Sequence, residues 1–157
     1  GKGFIVTEDG GREIEPNSWF RIMATANTKG RGDDHGAYSG TRVMNSALLD
    51  RFTVWAEVPY LTTSQTNKLL INKGVGPDMA DIMASYFGLH TKAFEMGETT
   101  IPLTPRTMLE WADVAMFLLG NTDKDEALTT GFEWTMLDRC GEADRATVQG
   151  LMDRLAA

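Results

Sequence analysis

The sequence predicts an α/β fold class in which a short strand-bearing portion, residues 1–60, precedes an all-α portion, residues 61–157. Three observations carry this prediction. Apolar residues come in short blocks or alternate up to Pro59, as strands require. From Leu61 onward the apolar spacing changes to the 3.6-residue period of helices. Start and stop signals then recur in helical order: Gly74, Pro77, Thr104-Pro105 and Gly120.

The first 18 residues read as a hairpin. Phe4-Ile5-Val6 forms one arm, Asp9-Gly10-Gly11 the turn, and Glu13-Ile14-Glu15 the other arm before a break at Pro16-Asn17. A strand-like run so soon after Gly1-Lys2-Gly3 leads us to expect a longer natural protein. Residues 20 to 26 are short and mostly apolar, as in a strand covered on both faces, and they run into Asn27. Ligands of open α/β sheets sit outside the carboxyl ends of strands, where the Asn27 amide could orient a water or a phosphate oxygen. An Asx turn capping the strand places the same residue there for purely local reasons.

The following loop carries Gly30, Gly32, Gly36 and Gly40, with Asp33, Asp34 and His35 among them. Its glycine spacing has one residue too many for a dinucleotide fingerprint, and no helix start follows. Adjacent acids and a histidine seldom converge on one metal without ligands from elsewhere, so a solvated loop is the expectation. Residues 42 to 50 read as a short helix with Val43, Ala47 and Leu48 on its apolar side. Residues 53 to 58 alternate as a second strand, which Pro59 stops. Arg51 thus lies at a helix-to-strand junction, either as an ion-pair partner of Asp50 or Glu57 or as a functional cation.

The helical portion is more sharply marked. One helix is expected from near Ser64 to Gly74. A second opens at Pro77, with Met79, Ile82, Met83, Tyr86 and Phe87 in one stripe and Gly88 as a bend or end. Residues 96 to 103 read as a polar connection. Thr104 then caps a helix with Pro105 in its first position and Met108, Trp111, Ala112, Ala115 and Leu119 on its buried face. Arg106 sits at the positive end of that helix dipole, an unfavourable place for a cation unless Glu110 or an external anion compensates. A helix over residues 132 to 139, a break at Cys140-Gly141, and a last helix bearing Val148, Leu151, Met152 and Leu155 complete the chain. Arg139, Arg145 and Arg154 read as solvated and Cys140 as a quiet packing residue.

Bulk properties exclude several classes. The single cysteine allows no internal disulfide and suits a cytoplasmic location. No basic-then-apolar leader and no run of about 18 apolar residues occurs, so neither secretion nor membrane insertion is expected. A net charge of −7 argues against broad binding to nucleic acid. The nine methionines fall mostly on helical apolar faces, where flexible core filling explains them.

Taken together, these segments resemble parts of AAA+ ATPases in their usual order. FRIMATANT looks like the sensor-one strand of the MoxR-like branch, LLDRF resembles its arginine-finger segment, and TPRTMLEWA resembles its sensor-two helix. More narrowly, ATANTKGRGDDHGAYSGT with NSALLDRF, PRTMLEWA and DRCGEADRATV is similar to the cobaltochelatase CobS subunit family, over nearly the whole chain. The resemblance implies the carboxyl-terminal part of an AAA+ P-loop NTPase core followed by a helical lid. It also implies self-association into a ring, ATP with Mg²⁺ as cofactors, and chelatase or MoxR-type partner subunits. By the same resemblance Asn27 and Arg51 are catalytic and Arg106 contacts the nucleotide.

The departures from that pattern are equally informative. No G-x-x-x-x-G-K-[ST] motif occurs, and no apolar strand ends in paired acids, so the phosphate cradle and the Mg²⁺ ligands are expected upstream of Gly1. A non-enzymatic interaction module derived from such an ATPase is the alternative. In either case the isolated chain is expected neither to hydrolyse ATP nor to bind it tightly. Calorimetric titration with ATP and Mg²⁺ checks this, and a micromolar dissociation constant, roughly −8 kcal/mol, would refute it.

Overall fold

The computed structural model describes residues 3–26 and 43–156. Asn27, the glycine-rich loop, and Asp33, Asp34 and His35 lie outside the described residues. Among the described residues the architecture is mostly helical, with one small two-stranded sheet. Strands β1 (Phe4–Val6) and β2 (Arg12–Ile14) pair antiparallel with Ile5 opposite Glu13. The turn between them includes a 3₁₀ segment, Thr7–Asp9, and then needs two left-handed residues, supplied by Gly10 at φ 63° and Gly11 at φ 80°.

The two longer strands expected at residues 20–26 and 53–58 are not formed. Both segments lack regular secondary structure, and Met23 and Val58 are 93% and 90% exposed. A strand is held by hydrogen bonds to a neighbour, and among the described residues the only sheet is the β1–β2 hairpin. Their β-type composition therefore finds no ladder. Helix α1 (Ser46–Leu49) is shorter than the sequence predicts, because the Asn45 side chain accepts from the Ala47 amide (2.9 Å) and starts the helix there.

The core lies among five longer helices. In α2 (Thr63–Lys73) a reciprocal capping box joins Thr62 and Gln65, and Gly74 closes the helix at φ 100°. Helix α3 (Pro77–Glu95) begins at its proline and passes through Gly88 without interruption. Gly88 is instead a point of close approach: a Cβ there would lie 2.7 Å from the Thr63 hydroxyl of α2. Helix α4 (Pro105–Leu118) is capped by Thr104, whose hydroxyl accepts from the Thr107 amide (3.3 Å).

Helix α5 (Lys124–Thr135) starts well before the expected residue 132, because Asp123 caps it through the Glu126 amide (2.9 Å). A 3₁₀ turn, Leu137–Arg139, and the break at Cys140-Gly141 lead into α6 (Glu142–Ala156), where Val148, Leu151 and Met152 are buried. Helices α4 and α5 pack together, as do α2 with α3 and α3 with α6.

Tyr86, Trp111 and Phe132 meet at the centre with no solvent exposure. Their centroids are 5.0 to 5.7 Å apart, with edge-to-face or tilted rings, the arrangement that aromatic quadrupoles favour. The Trp111 indole donates to the Leu128 carbonyl at 3.0 Å, which satisfies its one polar atom. Gly131 lets α5 approach Trp111: a Cβ there would be 3.1 Å from the indole and 3.3 Å from the Ala115 nitrogen. Gly131→Val should therefore destabilise the fold by about 1–3 kcal/mol. Gly150→Ala, at a position with nothing within 4 Å of the added methyl, should stabilise it by up to about 1 kcal/mol. Urea unfolding of the two variants beside the parent chain measures both.

Candidate functional site

The segment that delivers the chain into α4 is tied down almost residue by residue. Helix α3 exits through Gly97 at φ 75°, with the Gly97 amide donating to the Phe94 carbonyl and the Glu98 amide to Ala93. Next come Thr99 and Thr100. The Thr99 hydroxyl donates to Asp144 Oδ1 (2.7 Å), as does the Thr100 amide (2.8 Å), and the Thr100 hydroxyl donates to Asp144 Oδ2 (2.8 Å). The Ile101 carbonyl accepts from His90 Nε2 at 2.8 Å, and Leu103 is buried in the core just ahead of the Thr104 cap.

Arg106 follows in the first turn of α4, with an exposed side chain. The two acids that could neutralise it along the helix are engaged elsewhere. Glu110 pairs with Arg139 at 3.0 Å and Asp113 with Lys73 at 2.7 Å. Among the described residues Arg106 has no ion-pair or hydrogen-bond partner, so its cation stands free at the positive end of the helix. Arg51 is likewise exposed, in the turn after α1. Asn27 lies outside the described residues, so the three expected site residues are not seen together.

Two further side chains escaped the sequence reading. His90 is buried one turn beyond Tyr86, and its place in the apolar stripe four residues after Tyr86 was the available signal. Its Nε2–H donates to Ile101, which leaves Nδ1 to accept from the Tyr86 hydroxyl at 3.1 Å; that hydroxyl also lies 3.3 Å from the Val148 carbonyl. Asp144 gave no local signal, because its threonine partners are over 40 residues away in sequence. Burial works against its ionisation, yet the hydrogen bonds from Thr99 and Thr100 hold its carboxyl below the ordinary value. Arg145, expected to be solvated, in fact donates to the Leu137 carbonyl at 2.9 Å.

A cavity of about 140 Å³ lies beside this network, lined in part by His90, Leu103, Thr107, Thr135 and Cys140. The Cys140 thiol donates to the Met136 carbonyl, and burial pushes it up, seconded by Asp144 and opposed by Arg145, so it is not an activated nucleophile. Among the described residues no His, Cys, Asp and Glu cluster could hold a metal, and no helix is long and apolar enough to cross a membrane. Neither this cavity nor an open groove along α5 and α6 is lined by Arg51 or Arg106. The arrangement presents an unpaired arginine on a rigidly held helix start rather than an enclosed catalytic pocket.

A mostly helical unit with a small two-stranded sheet is compatible with a carboxyl-terminal fragment of an AAA+ protein. Among characterised proteins, the chain is similar to the aerobic cobaltochelatase subunit CobS of Sinorhizobium sp, with 31% identity over 152 residues. That alignment covers 93% of this chain and 44% of the relative, so the chain spans less than half the length of the curated protein it matches. No family model matches, and no solved structure matches.

Burial of His90 sets a pH dependence. Desolvation lowers its pKa below the ordinary 6.5, against the opposing pull of the Ile101 carbonyl and Asp144. The unfolded chain therefore takes up a proton as pH falls through 6.5 while folded His90 stays neutral, so its contribution to stability is complete above that pH and declines below it. Urea midpoints should fall from pH 7.5 to 5.5, and they should fall less steeply in His90→Gln. Equal slopes in the two proteins would contradict this account.

Proposed function

We propose that this chain is the carboxyl-terminal portion of a CobS-like AAA+ ATPase subunit, comprising the end of an α/β core and a helical lid. The observation that carries this reading is the similarity to CobS along nearly the whole chain. The free Arg106 at a fixed helix start supports it, since its acidic neighbours are bound to other cations and its charge remains available to an external anion.

The exposed segments of strand-like composition at residues 20–26 and 53–58 fit the same reading, as segments that would become strands against sheet neighbours from a preceding part of a longer subunit. The phosphate cradle and the Mg²⁺ ligands are assigned to that part as well, because this sequence contains neither motif.

Phosphoryl transfer to water asks little covalent help of a protein, so catalysis rests on positioning and on neutralising charge as it develops. When bound, ATP with Mg²⁺ supplies the transferable group and a countercharge. In this reading Asn27 orients the attacking water, Arg51 extends toward the γ-phosphate in a neighbouring subunit of a ring, and Arg106 couples the lid to nucleotide state. The work done would be metal insertion alongside chelatase partner subunits, or protein remodelling of the MoxR type.

Arg51 provides the test. In the full-length protein Arg51→Ala should cut ATP turnover on the order of 10³-fold, as finger arginines do elsewhere, with a much smaller change in nucleotide affinity. Mixing that variant with a subunit whose phosphate loop is inactivated but whose Arg51 is intact should restore turnover, because each supplies the half-site the other lacks. A co-assembled mixture that stays inactive removes Arg51 from the shared site and leaves a structural role, as a partner of Asp50 or Glu57, as the better reading of it.

A further inference from the structure

We propose that Asp144 is a positioning residue for Arg106: from α6 it clamps the segment that enters α4 and so sets where the arginine stands. This rests on the role given to Arg106 above and adds a residue to it. The clamp is local and complete. Both carboxylate oxygens are used, by three donors on two adjacent residues. Thr99 is buried and its hydroxyl also accepts from the Ile101 amide at 3.3 Å, so the loop is held by Asp144 and braced internally.

Downstream of the clamp there is little slack. The Ile101 carbonyl is held by His90, Leu103 is buried, and Thr104 caps the helix that bears Arg106. Asp144 itself stands in the first turn of α6, where a negative charge is favoured. Its neighbour Arg145 is turned toward the Leu137 carbonyl and Asp138, and no cation within ion-pair range competes with the threonines among the described residues. Since α6 packs on α3 and on the 3₁₀ turn, its hold on Thr99 and Thr100 is a separate polar link from the last helix to the start of α4.

The hydrogen-bond chemistry defines the conservative variant. Asparagine can accept the Thr99 hydroxyl and the Thr100 amide at Oδ1 and donate from Nδ2 to the Thr100 hydroxyl; alanine can do none of these. In the full-length protein, titrated with ATP and Mg²⁺, Asp144→Ala should weaken nucleotide binding on the order of tenfold, whereas Asp144→Asn should stay within about threefold of the parent. Amide exchange at Thr100 should speed up in the alanine variant alone. If Asp144 acts through Arg106, the Arg106→Ala, Asp144→Ala double variant should bind no more weakly than Arg106→Ala.

Should Asp144→Ala fail to fold, the exposed Thr100→Ala removes one bond of the three and should shift affinity in the same direction by less. Unchanged affinity in Asp144→Ala or in a folded Thr100→Ala, or additive losses in the double variant, overturns the positioning role while leaving Arg106 in place. Arg106→Ala with parental affinity overturns the assignment of Arg106 and this proposal together.

Discussion

The burial of Tyr86 constrains much of the helical unit. Its ring joins three helices by meeting Trp111 of α4 and Phe132 of α5 edge to face, while its hydroxyl has to find a partner away from water. His90 and the Val148 carbonyl stand around that hydroxyl, which brings α6 and the next turn of α3 to the same point. His90 in turn has a second nitrogen to satisfy and does so on Ile101, in the segment leading to Arg106. One buried phenol thus links the aromatic centre to the outer helix start through groups that each need a partner. Fully burying side chains of this size contributes roughly 1.5–3 kcal/mol each, and the hydrogen bonds decide which way the rings face.

Features with local causes were legible in the sequence. The hairpin turn at Gly10-Gly11, the stop at Gly74, the starts at Pro77 and Thr104, and the break at Cys140-Gly141 each arise from residues within a few positions of one another. The apolar stripe of α3 emerged because burial follows the helical period. Gly88 misled for the opposite reason: its propensity says break, yet α3 uses its missing Cβ to approach Thr63, a contact invisible along the chain. Asp123 was overlooked as a cap, so α5 was begun too late. The Asp144 clamp depends on a partner far away in sequence, and no periodicity or cap signal encodes that kind of pairing.

The residues with the strongest strand composition pose a different problem. Val54, Ala56 and Val58 alternate with Thr53, Trp55 and Glu57, and residues 20–26 are apolar enough for a covered strand, yet both segments lie open to solvent. Composition reports the environment a segment suits, whereas a strand exists only when a neighbour completes its hydrogen-bond ladder. The helical unit escapes this dependence, because helices satisfy their backbone internally and need only a face to bury. That difference explains how residues 63–156 can form a close-packed core while the described residues before them remain mostly irregular.

The charges around α4 show how a stable helix can keep one cation in reserve. A basic residue in a first helical turn faces the dipole unfavourably, and a helix selected only for stability would place an acid one turn on to offset it. An acid is present, Glu110, but Arg139 holds it, and the next candidate, Asp113, is held by Lys73 from α2. Both pairs join α4 to other elements, so the acids help fix the helix instead of neutralising its first turn. Exposed pairs of this kind contribute little energy individually. Their consequence is geometric: the helix start is held from the Thr99-Thr100 side and from two flanking ion pairs, and Arg106 is the charge left facing outward.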